Sequence, residues 1–172
     1  MRKTICLLVL LFVFGCKNNN KETKQNNTID INSYLSVIIK VKVKEDDRFQ
    51  LYFSEEIIGQ YHPEDIIEVD VKGENKFQKV TFDLPKYVYP TKARIDLGVR
   101  KIETPVVIDE IIFSTGTNKK VFTGSELLEY FKPNKFIELD TISRKYNRRS
   151  IDDVYDPYII SININDIVSN LF

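Results

Sequence analysis

The sequence predicts an all-β protein, a two-sheet antiparallel β-sandwich with one short helix. Three observations carry this. Apolar and polar residues alternate along eight or nine short runs, the period of two expected of strands with one face buried and one face wet. Gly, Asn or Pro punctuates nearly every boundary between runs. Ile, Val, Phe and Tyr dominate the apolar set, with a single Met, no Trp and almost no Ala, a composition that suits a pleated surface better than a helix. The 172 residues suffice for one domain with a core of its own.

Residues 1–15 read as a secretion signal. Arg2 and Lys3 form its positive end, and residues 5–14 are an apolar run too short to cross a bilayer, which takes about 20 apolar residues. The run ends in Val13-Phe14-Gly15-Cys16, which resembles the lipobox of bacterial lipoproteins: Gly15 precedes the cleavage point and Cys16 is the residue that receives lipid. The resemblance implies a membrane partner held through Cys16. Lys17 in place of Asp after the cysteine implies the outer membrane, facing either the periplasm or the outside. Each acyl CH₂ buried in lipid contributes about 0.8 kcal/mol, so several chains make a durable anchor. Cys6 leaves with the signal, and no other thiol is left for a disulfide, a metal or nucleophilic catalysis. Of the 25 Lys and Arg residues, Arg2 and Lys3 leave too; 23 basic then face 25 acidic side chains, a mature net charge of −2. That balance argues against nucleic acid as a partner. Residues 16–33 comprise the lipidated cysteine and an Asn-, Lys- and Gln-rich tether without apolar periodicity. Such a tether has a root-mean-square span of roughly 20–25 Å and holds the domain clear of the lipid headgroups.

The folded domain is expected over 34–172. In the run 34–45, Leu35, Val37, Ile39, Val41 and Val43 share one face, with Ser36, Lys40, Lys42 and Lys44 opposite. The next strand, 48–53, points Phe49, Leu51 and Phe53 inward, and 54–65 is a loop. Four strands follow, at 66–71, 78–85, 93–98 and 106–113, with Val69, Val71, Val80, Phe82, Ile95 and Leu97 inward and Thr81, Asp83, Arg94 and Asp96 outward. Leu84-Pro85 ends a strand because Pro cannot donate to a ladder. Residues 114–120 read as a turn and Val121-Phe122 as a short strand. Residues 124–131 read as the one helix, capped by Ser125, stopped by Pro133 and packed through Leu127, Leu128 and Phe131. A strand at 135–140, a charged loop at 141–156 and a last strand at 158–164 complete the chain, with Tyr158, Ile160, Ile162 and Ile164 aligned on one face.

The series Val71-Lys72-Gly73, Gln78-Lys79-Val80-Thr81-Phe82-Asp83-Leu84-Pro85, Arg94-Ile95-Asp96-Leu97-Gly98, Ile108-Asp109-Glu110-Ile111 and Asp156-Pro157-Tyr158 resembles the galactose-binding-like jelly-roll modules of bacterial surface proteins. The resemblance spans most of 34–164. It implies a jelly-roll β-sandwich and, since many such modules bind carbohydrate, a glycan partner; it also implies that a structural Ca²⁺ can be present.

Candidate ligand-binding residues follow from what a sugar needs: flat aromatic faces for its C–H faces and polar groups for its hydroxyls. Tyr61 and His62 lie in one loop, Tyr87 and Tyr89 in another, and Arg94 and Asp96 stand on the next strand. The bland alternative is that these tyrosines cover the rim of the core and that Arg94 pairs with Asp96 or Asp83. Tyr146 among Lys135, Arg144, Lys145, Arg148 and Arg149 suits an anionic polysaccharide or a lipid phosphate, or else a solvated loop balanced by Asp152, Asp153 and Asp156. The acidic groups at 45–47, 55–56, 64–65 and 152–153 have no spacing of a defined calcium loop. With one His, no H-E-x-x-H and no Gly-x-Ser-x-Gly, catalysis is not expected. The expectation is a non-catalytic, lipid-anchored envelope protein that binds a glycan; the alternative is a structural or assembly lipoprotein that docks an envelope protein.

Overall fold

The computed structural model describes residues 34–116 and 118–172. The expected signal, Cys16 and the expected tether lie outside these residues. Eleven strands and two short helices follow in order: β1 (Leu35–Lys42), β2 (Asp47–Ser54), β3 (Ile66–Val71), β4 (Gln78–Asp83), β5 (Lys92–Asp96), β6 (Val106–Thr115), β7 (Asn118–Thr123), α1 (Ser125–Tyr130), β8 (Phe131–Pro133), β9 (Ile137–Asp140), β10 (Lys145–Arg148), β11 (Tyr158–Ser161) and α2 (Asn165–Ser169).

The strands form two antiparallel sheets. One runs β4-β1-β6-β10-β9, with β7 also paired to β6; the other runs β3-β2-β5-β11-β8. Each position in one sheet is matched in the other by a chain neighbour: β4 by β3, β1 by β2, β6 by β5, β10 by β11 and β9 by β8. The chain therefore passes from sheet to sheet again and again, a winding of the jelly-roll kind. The core between the sheets is what the alternation predicts. Leu35, Val37, Ile39, Val41 and Val43 from the first run, and Phe49, Leu51 and Phe53 from the second, are all buried. Val71, Val80, Phe82, Ile95 and Leu97 join them, and Val69 packs partly buried against the cluster.

Several details differ from the sequence reading. The segment read as a turn at 114–120 is mostly hairpin: β6 runs to Thr115, β7 starts at Asn118, and the pairing extends from Thr115↔Asn118 to Glu110↔Thr123. Its polar residues satisfy their backbone in the ladder, and Thr115 donates its hydroxyl to the Leu171 carbonyl at 2.9 Å. Ser125 is the first helical residue and not the cap, which is Gly124 without a side-chain hydrogen bond. Pro133 does not stop α1. The helix ends where Phe131 turns extended, and Pro133 closes β8 at the edge of its sheet, where a missing donor costs nothing. Leu127 and Phe131 are buried, whereas Leu128 is half-buried.

The charged loop 141–156 contains β10, which inserts between β6 and β9. The last strand has the opposite phase to the one expected. Ile159 and Ser161 point inward while Tyr158 and Ile160 point out, because the Ser161 hydroxyl accepts the buried Ala93 N–H at 2.7 Å. Beyond it the chain forms a second helix, α2, so the described residues hold two short helices and not one.

Candidate functional site

The outer face of the β3-β2-β5-β11-β8 sheet gathers three of the expected ligand-binding residues. Register places Tyr52 of β2 and Ile160 of β11 beside Arg94 of β5, and Gln50 of β2 and Tyr158 of β11 beside Asp96. Odd spacing along each strand sends these side chains outward, away from Leu51, Ile95 and Ile159.

Arg94 sits at the centre. Its Nε donates to Asp96 Oδ1 at 2.6 Å, its Nη2 to Asp96 Oδ2 at 2.7 Å, and Nη2 donates again to Asp156 Oδ1. The guanidinium lies 3.8 Å from the Tyr158 ring centre and 5.0 Å from that of Tyr52. Stacking of a planar cation between ring faces holds it in one orientation. The loop after β2 then folds Tyr61 over this face, edge-on to Tyr52 at 6.0 Å, with the Lys92 ammonium 5.3 Å over its ring. Lys92 in turn donates to the Gly59 carbonyl at 2.6 Å and so ties the loop down.

The electrostatics follow from burial. Burial pushes the Asp96 carboxyl up, with the two charge-assisted bonds from Arg94 pulling the other way. Burial also works against the Arg94 charge, and its bonds and attraction to Asp96, then to Asp156, outweigh that and hold its pKa above the ordinary value. Burial pushes the Tyr61 hydroxyl up to about 12, with Arg94 pulling the other way. The Tyr61 hydroxyl oxygen is buried with no hydrogen-bond partner. Asp96 directs both oxygens to Arg94, so it acts as a brace for the guanidinium, while Asp156, at the rim, is substantially exposed. Gln50 and Glu68, joined by a hydrogen bond, add polar groups on the β3 side. The result is a surface of aromatic rings around a neutralised, rigid cation, bordered by carboxylates and an amide.

The other expected residues lie elsewhere. Tyr87 and Tyr89 occupy the loop between β4 and β5, at one end of the sandwich. Tyr89 packs edge-on to Phe172 at 4.5 Å, and its N–H donates to Glu55 at 2.8 Å. His62 is exposed in the loop after β2, and its carbonyl accepts the Asp65 N–H. Tyr52 and Tyr158 were missed as site residues; the only signal for them is strand register, which brings three separate strands together.

The basic cluster is dispersed. Tyr146 and Arg148 are buried, and Arg148 donates to Asp47 Oδ2 at 2.6 Å and, through Nε, to the Thr104 carbonyl at 3.0 Å. Arg144 pairs with Asp109 at 2.9 Å and borders an apolar cleft of about 290 Å³ between α1 and the β9–β10 hairpin, lined by Leu127, Leu128, Leu139 and Tyr146. Among the described residues, no group of three or more His, Cys, Asp or Glu converges as a metal site, and no helix is long and apolar enough to cross a membrane. Neither a protein-family model, nor a curated protein, nor a solved structure matches this chain.

Proposed function

We propose that this protein is a non-catalytic binding module of the bacterial cell envelope, anchored by lipid on Cys16, which recognises a glycan on the outer face of the β3-β2-β5-β11-β8 sheet. One observation carries the reading: Tyr52, Tyr61 and Tyr158 converge on the Arg94–Asp96–Asp156 network on an otherwise solvated sheet face. Aromatic rings offer apolar area at low conformational cost, and the fixed charges leave carboxylate and amide groups at the rim for hydroxyls. Arg94 and Asp96 position the rings, Tyr158 and Tyr61 supply stacking surface, and Asp156, Gln50 and Glu68 supply hydrogen bonds. The test is a glycan array probed with the mature chain and with Tyr158→Ala. Saturable binding to one glycan class, lost in the variant, supports the reading. A folded chain that binds nothing on the array contradicts it.

A further inference from the structure

One end of the sandwich carries a concentration of exposed apolar groups that the sheet face does not use. The loops after β2 and after β4 meet there, where Thr91 N–H donates to the Ser54 carbonyl and Tyr89 N–H to Glu55. The C-terminus joins them, with the Leu171 carbonyl bound to Thr115 and Asn118 and Phe172 against Tyr89. Of the large apolar residues that stand exposed in the described structure, Ile57 (79%), Ile58 (89%), Tyr87 (57%), Tyr89, Phe172 and Tyr34 all belong to this end. Ile57 and Ile58 are adjacent on a loop tip. The turn from Pro85 to Val88 holds Tyr87 at φ 67°, a left-handed conformation that favours Gly or Asn, and so presents a bulky ring at its apex.

The described chain also begins at this end. Leu35 opens β1 opposite Thr115, and its carbonyl accepts the Leu84 N–H. Cys16 lies eighteen residues before Tyr34. From these observations, and resting on the anchor reading, we propose that this end of the domain docks on the lipid surface. Ile57 and Ile58 insert at the boundary of headgroup and acyl chain, and Tyr87 and Tyr89 lie at headgroup level. Tyrosine suits that interface because one end is apolar and the other wet. A tether of this length confines the domain near the bilayer at an effective concentration of about the millimolar range, so a shallow apolar contact is enough to orient it. On these loops Glu55, Glu56, Glu64 and Asp65 outnumber Lys86, with Lys92 beside them at the start of β5, so the contact is apolar and the surface it fits is zwitterionic, not anionic. Docked in this way, the tyrosine face of the sheet stands at the side of the molecule, open to a ligand.

The absence of Trp makes the test direct, because an introduced Trp is the sole indole reporter. The full lipidated chain carrying Ile58→Trp, Tyr87→Trp or, at the opposite end, Val154→Trp is floated with phosphatidylcholine vesicles that contain brominated acyl chains. A group seated about 5–10 Å into the boundary lies beside the bromine, so quenching at least roughly twofold stronger for Ile58→Trp and Tyr87→Trp than for Val154→Trp is expected. A chain that floats but shows equal or no quenching at the two ends overturns the docking and leaves the anchor standing. A chain that does not float, or floats equally well as Cys16→Ser, overturns the anchor and the docking with it.

Discussion

Arg148 and Asp47 are 101 positions apart in sequence and meet in the interior, where β10 of one sheet faces the end of β2 of the other. Both side chains are about fully buried, with 1% exposure each. Arg148 also donates to the Leu97 carbonyl, and Asp47 Oδ1 accepts the N–H groups of Arg48 and Arg100. Gly98 leaves room for the pair: at φ 121° a Cβ there would run into the Arg148 guanidinium and the Asp47 carboxylate. Arg148→Met strands a buried carboxylate and is expected to cost about 3–5 kcal/mol in urea unfolding, whereas the double change to Asp47→Asn and Arg148→Met costs less than the sum of the two singles. A second residue-scale prediction concerns alkali. Burial pushes Tyr61, Tyr146 and Tyr155 each up to about 12. The neutral forms are favoured by the fold, so their contribution to stability is complete below about pH 10 and is lost as pH climbs from 10 toward 12. An ultraviolet absorbance titration should show Tyr61, Tyr146 and Tyr155 ionising late, with one fewer late step in Tyr61→Phe.

At the scale of elements, β11 separates two readings of one short run. Ile159 is buried and Ile160 is partly exposed. Ile159→Ala should cost about 2–5 kcal/mol and Ile160→Ala about 0.5 kcal/mol or less, measured by denaturant midpoint; the reverse order would restore the phase that the sequence suggests. The first two strands were legible because each alternates without interruption and buries one face only. In β11 two adjacent Ile residues fit either phase, and the choice is made by Ser161, a polar residue whose partner, Ala93, lies on another strand. The strand β10 was hidden because Lys145-Tyr146-Asn147-Arg148 holds one apolar residue, and its last residue is a charged side chain buried on Asp47 and on the Leu97 and Thr104 carbonyls. The helix α2 was hidden because Ile162-Asn163-Ile164-Asn165 alternates like a strand before it turns.

At the scale of the whole molecule, matched positions in the two sheets set β5 beside both β2 and β11, and this pairing builds the tyrosine face. Arg94 and Asp96 could be named from residue type and strand phase, and Tyr61 from residue type in a loop. Tyr52 and Tyr158 could not, since their place beside Arg94 depends on which strands pair, and the sequence does not encode that order locally. Tyr87 and Tyr89 share a residue type with the site but stand at the end of the sandwich, because the loop after β4 bonds to the loop after β2 and packs on Phe172. The assignment of sheet face to glycan is therefore separable from that of loop tips to lipid. A calorimetric titration of the best array ligand into the mature chain, Tyr158→Ala, Tyr61→Ala and Tyr87→Ala tests the central claim most directly. The account predicts at least a tenfold loss of affinity, about 1.4 kcal/mol, for Tyr158→Ala and for Tyr61→Ala, with Tyr87→Ala unchanged. Undiminished binding by both sheet-face variants, or a loss confined to Tyr87→Ala, would contradict it.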